Sequence, residues 1–184
     1  DPLWSRGLGD VYKRQRDIFG RYVGAEVAQR ALEERPELGG EDRKVAVLFI
    51  DVIGSTTFAV NHTPEEVVEE LNKFFEHVVE VVHRNKGIIN KFQGDAALAV
   101  FGAPLTVYDA NSMALQAARE LRQELRGLQL QAGIGVAAGH VVAGHIGGAD
   151  RFEYTVIGDA VNEAARLTEL AKDTPGQVLS LIHI

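Results

Sequence analysis

A continuous apolar run, "VAVLFI" at residues 45–50, constrains the fold of this chain more than any other feature. It is rich in Val, follows the charged residue Lys44, and is closed by Asp51 and a glycine three residues later. Such a run between charges and a glycine predicts a buried β-strand over residues 44–51. A buried strand needs hydrogen-bonding neighbours and cover, so the remaining segments have to supply further strands and helices.

Capping and periodicity predict the other elements. The sequence "TPEE" at residues 63–66 places Thr at the N-cap, Pro at the first helical position and Glu at the third, which predicts a capping box. Apolar residues at helical spacing extend this helix to about residue 84. The remaining predicted elements are a helical lead-in at 17–34, strands at 87–92 and 96–102, a helix at 108–126, a strand and then a Gly-rich connection within 130–147, a strand at 152–158, a helix at 159–172 and the start of a strand at 177–179.

The order of these elements predicts the fold class. Strands arrive in hairpin pairs that are interrupted by helices, which predicts an α+β fold with a mainly antiparallel sheet. The chain has 184 residues, enough for one domain with its own hydrophobic core.

Composition excludes several classes of protein. The formal net charge of −7 argues against a general nucleic-acid binder. The sequence has no Cys, which excludes disulfides and thiolate metal sites. No apolar run approaches the roughly 20 residues that a membrane-spanning helix needs. We expect a cytoplasmic domain, with any membrane anchor in a missing N-terminal region.

Both ends of the chain carry sequence that we predict to be foreign. One allowed codon choice for "LSLIHI" (179–184) is the reverse complement of a DNA word that encodes "DVYKRQ" (10–15). A protein has no physical reason to begin and end on complementary strands of one DNA word, and this word resembles a sequencing adapter. We therefore expect non-native tails at 1–15 and 179–184, a lead-in and linker at 16–40, and one main domain at 41–178, truncated at its C-terminus.

Two carboxylates stand at the ends of neighbouring strand candidates. Asp51 ends the buried strand, and Asp95 follows Gly94 in the predicted hairpin. Mg²⁺ prefers hard oxygen ligands, usually one or two carboxylates together with substrate phosphates. Backbone groups of residues 53–56, near a helix N-terminus, would then meet phosphate. Asp is also common at strand ends and Gly-Asp is common in turns, so spacing alone leaves ordinary turn chemistry open.

Three further side chains are suited to nucleotide chemistry. Lys91 shares a strand face with Asp95, because alternate residues of an extended strand point to one side. Asn162 and Arg166 stand one turn apart on the last predicted helix. Arg is the side chain best suited to a phosphate in a transition state. A solvated lysine and a polar outer helix face are the alternatives for these residues.

Three motifs follow one another along the chain: "LFIDVIGSTTF", "NKFQGDAALAVFG" and "YTVIGDAVNEAARL". Together they closely resemble the catalytic domain of class III nucleotidyl cyclases, over residues 44–178. The segment "IFGRYVGAEVAQRAL" is similar to the helical lead-in that often precedes this domain. The resemblance implies a ferredoxin-like, palm-type fold with the order βααβ-αββαβ. It also implies a head-to-tail homodimer with active sites at the subunit interface.

The resemblance implies a composite site, with metal ligands from one subunit and base, ribose and phosphate contacts from the other. The positions that match the metal ligands, for two Mg²⁺ or Mn²⁺ ions, are Asp51, Ile53 and Asp95. The positions that match the second subunit's contacts are Lys91 and Thr155 for the base, Asn162 for the ribose and Arg166 for the α-phosphate. The remaining substrate-binding positions are Gly54, Ser55, Thr56 and Arg151, the last being equally consistent with a surface arginine.

The resemblance implies an adenylate cyclase, which converts ATP to 3′,5′-cyclic AMP and pyrophosphate. It also implies a role in signal transduction, with a sensor domain upstream of the catalytic domain. Lys91 favours adenine, because its ammonium donates to a ring acceptor where guanine presents an N–H. Thr155 departs from the Asp that is most frequent in adenylate cyclases and resembles the class IIIb subgroup, which includes many bicarbonate-responsive members. Because a hydroxyl can donate or accept a hydrogen bond, Thr155 discriminates between adenine and guanine less than Lys91 does. The alternatives are a catalytically silent nucleotide-binding or dimerisation module and a guanylate cyclase.

Overall fold

The structure, a computed structural model, describes residues 38–148 and 150–182, together with seven of the residues before them. The elements of this described part are, in chain order, β1 (Gly39–Val52), α1 (Ser55–Asn61), α2 (Pro64–Arg84), β2 (Ile88–Gln93), β3 (Ala96–Phe101), α3 (Ala110–Glu124), a 3₁₀ turn (Leu125–Gly127), β4 (Ala132–Gly148), β5 (Arg151–Ile157), α4 (Asp159–Lys172) and β6 (Val178–Ser180).

Strand β1 lies in the middle of the sheet, as the apolar run predicts. The strand order is β2-β3-β1-β4-β5, and β6 pairs with β4 outside this path. The pairings within the path are antiparallel, whereas β6 runs parallel to β4. The predicted α+β fold with a mainly antiparallel sheet is therefore confirmed.

The side chains of β1 alternate between two hydrophobic cores. Ala46, Leu48 and Ile50 pack with α2 and α3 on one face of the sheet. Val45 and Val47 pack with α4 on the other face. All five residues are at most 1% exposed, and burial of a Val- or Leu-sized side chain contributes about 1.5–3 kcal/mol. The strand is thus held from both sides, which sets the place where its C-terminal end emerges.

Helix α2 begins at the predicted capping box. The backbone N–H of Glu66 donates to Thr63 Oγ1 at 3.3 Å, and the backbone N–H of Thr63 donates to Glu66 Oε2 at 2.8 Å. Pro64 is the first helical residue, where its missing N–H costs nothing. The buried face of this helix includes Phe74 and Val78, which pack against the sheet.

Helix α4 lies so close to β4 that two positions of the strand have to be glycine. A methyl group at Gly135 would overlap the carbonyl oxygen of Ala164, and one at Gly133 would lie 2.5 Å from the carbonyl oxygen of Thr168. Thr168 Oγ1 also lies 3.1 Å from the carbonyl oxygen of Phe49 in β1. These contacts set the distance between α4 and the central strands.

Strand β4 is longer than the sequence predicts. We expected a strand and then a Gly-rich connection within residues 130–147, whereas β4 runs over Ala132–Gly148. The first part of β1, residues 39–44, pairs with residues 140–145 and holds this segment extended. The backbones approach closely there, since a methyl group at Gly144 would meet the backbone of β1.

The helical lead-in predicted over residues 17–34 falls largely outside the described residues. Where it is described, the N–H groups of Gly24 and Ala28 donate to carbonyl oxygens four residues earlier, each at 2.9 Å. This bonding is that of an α-helix. The remainder of the lead-in stays a prediction.

The C-terminal strand β6 includes Leu179 and Ser180, which lie in the predicted foreign tail. They pair in parallel with Gly135 and Val136 of β4. Such pairing joins backbone groups and accepts many side chains. The foreign origin of residues 179–184 therefore stays a prediction.

The close contact of α4 predicts a large difference between two glycine substitutions. Gly135→Ala should lower the free energy of unfolding by about 1–3 kcal/mol or more, because the added methyl group forces α4 away from β4. Gly127→Ala is the matched control, since the space around Gly127 is open, and it should change stability by less than about 1 kcal/mol. Urea unfolding followed by circular dichroism measures both values. Equal stability of the two variants would contradict the contact.

Candidate active site

The two predicted metal-binding carboxylates lie together at one end of β1. Asp51 pairs in register with Ala96, and the backbone N–H of Val52 donates to the carbonyl oxygen of Asp95 at 3.4 Å. Asp95 stands in the two-residue turn that joins β2 to β3, after Gly94 with φ of 65°. Glycine adopts this left-handed conformation without strain, and hairpin turns require it. The predicted hairpin is therefore present and brings Asp95 beside Asp51.

The surroundings of Asp51 work against its negative charge. Burial raises the pKa of the Asp51 carboxyl above its ordinary value, and the charge of Asp95 raises it too, whereas Lys172 acts in the opposite direction. Two carboxylates near each other in a half-buried place repel, and a cation beside them relieves the repulsion.

A lysine that the sequence analysis did not single out is bound to Asp51. Lys172, the last residue of α4, donates from Nζ to Asp51 Oδ2 at 2.7 Å and to Glu169 Oε1 at 2.9 Å. The side chains of Asp51 and Lys172 are 19% and 22% exposed, so water screens their attraction only in part. Burial lowers the pKa of Lys172, but its bonds to the two carboxylates outweigh burial and leave the pKa raised.

The end of β1 has the chemistry of a site for a hard divalent cation. Asp51 and Asp95 supply carboxylate oxygens, and Ile53 follows directly after the strand. Within the described residues, no group of three His, Cys, Asp or Glu side chains is placed to hold a metal ion. A cation here would therefore complete its coordination with main-chain, water or substrate oxygens, as Mg²⁺ usually does. The ammonium of Lys172 beside Asp51 shows that this place attracts positive charge.

The chain continues from β1 almost directly into α1. Gly54 has a φ of 69° and precedes Ser55, the first residue of the helix. The backbone N–H of Ile53 donates to the carbonyl oxygen of Gln131 at 2.7 Å, which ties this turn to the start of β4. Residues 54–56 thus follow the carboxylates closely, and their contact with phosphate stays a prediction.

Lys91 and Thr155 lie in one cluster, although β2 and β5 are at opposite ends of the strand order. Lys91 Nζ forms an ion pair with Glu153 Oε1 at 2.8 Å. Asn90 Nδ2 donates to the carbonyl oxygen of Tyr154 at 2.9 Å, and Thr155 Oγ1 lies 3.3 Å from Asn90 Oδ1. The sheet therefore curls until side chains of β2 reach β5. We call these five residues the β2–β5 cluster.

Asn162 and Arg166 project from the exposed side of α4. The opposite side of the helix is buried against the sheet and includes Ala160 and Ala164. In the part of the chain that the structure describes, the side chains of Asn162 and Arg166 hydrogen-bond no other residue. Arg151 is the first residue of β5 and is exposed as well. These three side chains are accordingly open to a ligand or to a second molecule.

Three residues of the site were missed by the sequence analysis: Lys172, Asn90 and Glu153. Each contacts a predicted residue across the fold rather than along the chain, and Lys172 is 121 positions from Asp51. The available signals were weak, since Asn90 merely precedes Lys91 and Glu153 stands two residues before Thr155.

The chain belongs to the family described as "Adenylate and Guanylate cyclase catalytic domain", whose sequence profile matches residues 40–180. The predicted resemblance is confirmed. The chain is therefore a cyclase catalytic domain, of a family whose members form cyclic nucleotides.

Three relatives show how similar this chain is to other proteins. An uncharacterized protein of Mycobacterium tuberculosis is 55% identical over 170 residues, which cover 91% of this chain and 31% of that protein. This chain thus spans less than a third of that relative's length. A bacterial light-regulated adenylyl cyclase is 26% identical with a TM-score of 0.70, and 76% of each chain is covered. The guanylyl cyclase Cya2 is 36% identical with a TM-score of 0.62, covering 72% of this chain and 73% of that one.

The structural relatives include both adenylyl and guanylyl cyclases, so the family leaves the choice of nucleotide open. Among the described residues, no helix is both long and apolar enough to span a bilayer.

Removal of Lys172 should change the titration of Asp51 in a defined direction. Lys172→Met leaves burial and the charge of Asp95 unopposed, so the pKa of the Asp51 carboxyl should rise further above its ordinary value. Carboxyl ¹³C NMR during a pH titration without divalent cations measures it. Lys73→Met is the control, since Lys73 pairs with Glu69 and Glu70 on α2 and not with Asp51. An Asp51 that titrates alike in both variants would rule out the ion pair.

Proposed function

We propose that this domain is an adenylate cyclase that converts ATP to 3′,5′-cyclic AMP and pyrophosphate at two equivalent sites of a head-to-tail homodimer. One observation carries the shared-site part of the proposal. Asp51 contacts the C-terminal end of α4, at Lys172, whereas Asn162 lies about 15 Å of helix rise before that end. An amide side chain is too short to cross this distance. A second copy of the chain is therefore the better source of Asn162 for a nucleotide held at Asp51. Arg166 projects from the same exposed side of α4 and would come from that copy as well.

One half of each proposed site consists of the carboxylates. Asp51 and Asp95, with Ile53 beside them, would hold Mg²⁺ or Mn²⁺, and the backbone of residues 54–56 would meet the triphosphate. When bound, such cations supply Lewis-acid activation of the ribose 3′-hydroxyl and neutralise charge on the phosphates. Lys172 has to release Asp51, or share it, when a cation binds.

The other half supplies groups that act on the reacting atoms. The ribose 3′-hydroxyl would lose its proton to water as its oxygen bonds to the α-phosphorus. The bond from that phosphorus to the bridging oxygen of the β-phosphate would break and release pyrophosphate. The partner's Arg166 would bind the α-phosphate oxygens as negative charge grows on them. The partner's Asn162 would hold the ribose in the orientation for attack. Loss of one preorganised donor of this kind typically costs roughly 10²–10³ in rate.

The choice of ATP rests on the β2–β5 cluster. The ammonium of Lys91 donates to the unprotonated ring nitrogen of adenine, whereas guanine presents an N–H at that position. Glu153 holds the Lys91 ammonium in an ion pair at 2.8 Å, on the same strand that carries Thr155. Arg151, exposed at the start of the same strand, would meet the polyphosphate.

A catalytically silent nucleotide-binding or dimerisation module is the second candidate. The ion pair of Lys172 with Asp51 favours it, because a lysine bound to a carboxylate competes with a cation for that carboxylate. Calorimetry would then detect binding of ATP with Mn²⁺ while no cyclic nucleotide forms. A guanylate cyclase is the third candidate and would form cyclic GMP from GTP.

Mixing two inactive variants of the natural protein that contains this sequence tests the shared site. Asp51→Ala and Arg166→Ala should each be inactive alone. Their mixture should recover about a quarter of wild-type activity, since random pairing makes half of the dimers mixed and each mixed dimer keeps one intact site. Cyclic AMP formed per milligram of protein measures the recovery.

The control mixture combines Asp51→Ala with Asp95→Ala. Both changes damage the carboxylate half, so a mixed dimer retains no intact site and activity should not return. If the Asp51→Ala and Arg166→Ala mixture also stays inactive while mixed dimers are present, the shared site is refuted.

A further inference from the structure

A bulge in β2 leaves one residue outside the strand pairing. Ile89 pairs with Ala99 and Lys91 pairs with Leu98, which are neighbours in β3, so Asn90 has no partner in this ladder. A β-bulge turns the extra side chain away from the direction that regular alternation would give it. At this bulge the side chain of Asn90 reaches β5.

Two contacts determine which way the Asn90 amide points. Nδ2 lies 2.9 Å from the carbonyl oxygen of Tyr154, which only accepts, so the NH₂ group has to face it. The amide oxygen Oδ1 is then the atom 3.3 Å from Thr155 Oγ1. Because an amide oxygen carries no proton, the Thr155 hydroxyl is the donor of this bond.

The use of that proton changes what Thr155 offers to a ligand. A threonine hydroxyl has one proton and two lone pairs, and Thr155 is only 7% exposed. With its proton on Asn90, Thr155 presents lone pairs alone. Adenine carries an amino donor at its 6-position, whereas guanine carries an oxo acceptor there. Two acceptors that face each other leave both unpaired, which a closed pocket rejects strongly.

We propose that Asn90 is a positioning residue for base selection: it holds the Thr155 hydroxyl as an acceptor and so favours a purine with a 6-amino group over one with a 6-oxo group. This inference rests on the proposed function, since it takes a purine nucleoside triphosphate as the ligand. With its proton hydrogen-bonded to Asn90, the Thr155 hydroxyl only accepts hydrogen bonds from a ligand, as an ionised carboxylate does, but it carries no charge.

The test compares the binding of two analogues that cannot be cyclised, α,β-methylene ATP and α,β-methylene GTP, to the natural protein with Mn²⁺. Asn90→Ala should reduce the preference for the ATP analogue roughly tenfold or more, because a released hydroxyl rotates and donates to the 6-oxo group. A merely structural role would weaken both analogues alike, and an unchanged ratio overturns the proposal. Gln93→Ala, at an exposed position of the same strand, is the matched control and should keep the ratio.

A double-mutant cycle separates Asn90 from its surroundings. In a Thr155→Val background, Asn90→Ala should no longer change the ratio, because the hydroxyl through which Asn90 acts is absent. An undiminished effect of Asn90→Ala in that background overturns the proposal.

Neutron diffraction on the unaltered protein gives a result that needs no variant. A deuteron on Thr155 Oγ1 directed at Asn90 Oδ1 is expected, and a deuteron directed elsewhere overturns the proposal. Cyclase turnover is scored separately. A shifted binding ratio without turnover supports the role of Asn90 and contradicts the proposed function, whereas turnover with an unshifted ratio does the reverse.

Discussion

The burial of β1 on both faces, with its register against β3 and β4, is the constraint on which the site depends. Its side chains alternate between two cores, so a shift of one residue would exchange the two sets and mismatch both. Asp51 is therefore held at one place, with Ala96 opposite it in β3 and Gly133 opposite it in β4. Asp95 arrives on the first side through the hairpin. On the second side, the C-terminal end of α4 lies directly over Gly133.

The close packing of α4 on β4 brings charged side chains together at the end of β1. Since only glycine fits beneath the last turns of α4, Lys172 comes within 2.7 Å of Asp51 and forms an ion pair at a half-buried place. The two charged residues at the ends of segment 91–95, Lys91 and Asp95, contact different parts of the fold. Asp95 joins the carboxylate end of β1, whereas Lys91 reaches β5 across the curled sheet. A short hairpin thus contributes one charge to each of two separate groups of side chains, which is what the proposed shared site would need.

Local patterns predicted most of the architecture. The apolar run predicted the buried strand β1, the capping box predicted the start of α2, and the Gly94–Asp95 pair predicted the hairpin turn. Neighbouring strand ends then predicted that Asp51 and Asp95 would lie together. The long strand β4 was not predicted, because its glycines look like a connection until the first part of β1 pairs with them. The partners of the site residues escaped prediction for a related reason. The contacts of Lys172 and Asn90 depend on helix packing, sheet curl and a bulge, none of which leaves a periodic signal.

Separation of the products that the natural protein forms from ATP and from GTP, each with Mn²⁺, shows whether the domain is a cyclase and which base it accepts. We expect cyclic AMP and pyrophosphate in equal amounts from ATP, and much less cyclic GMP from GTP. A larger yield of cyclic GMP would contradict the base selection assigned to Lys91 and Thr155. The absence of any cyclic nucleotide, under conditions in which ATP and Mn²⁺ bind, would contradict the cyclase activity itself.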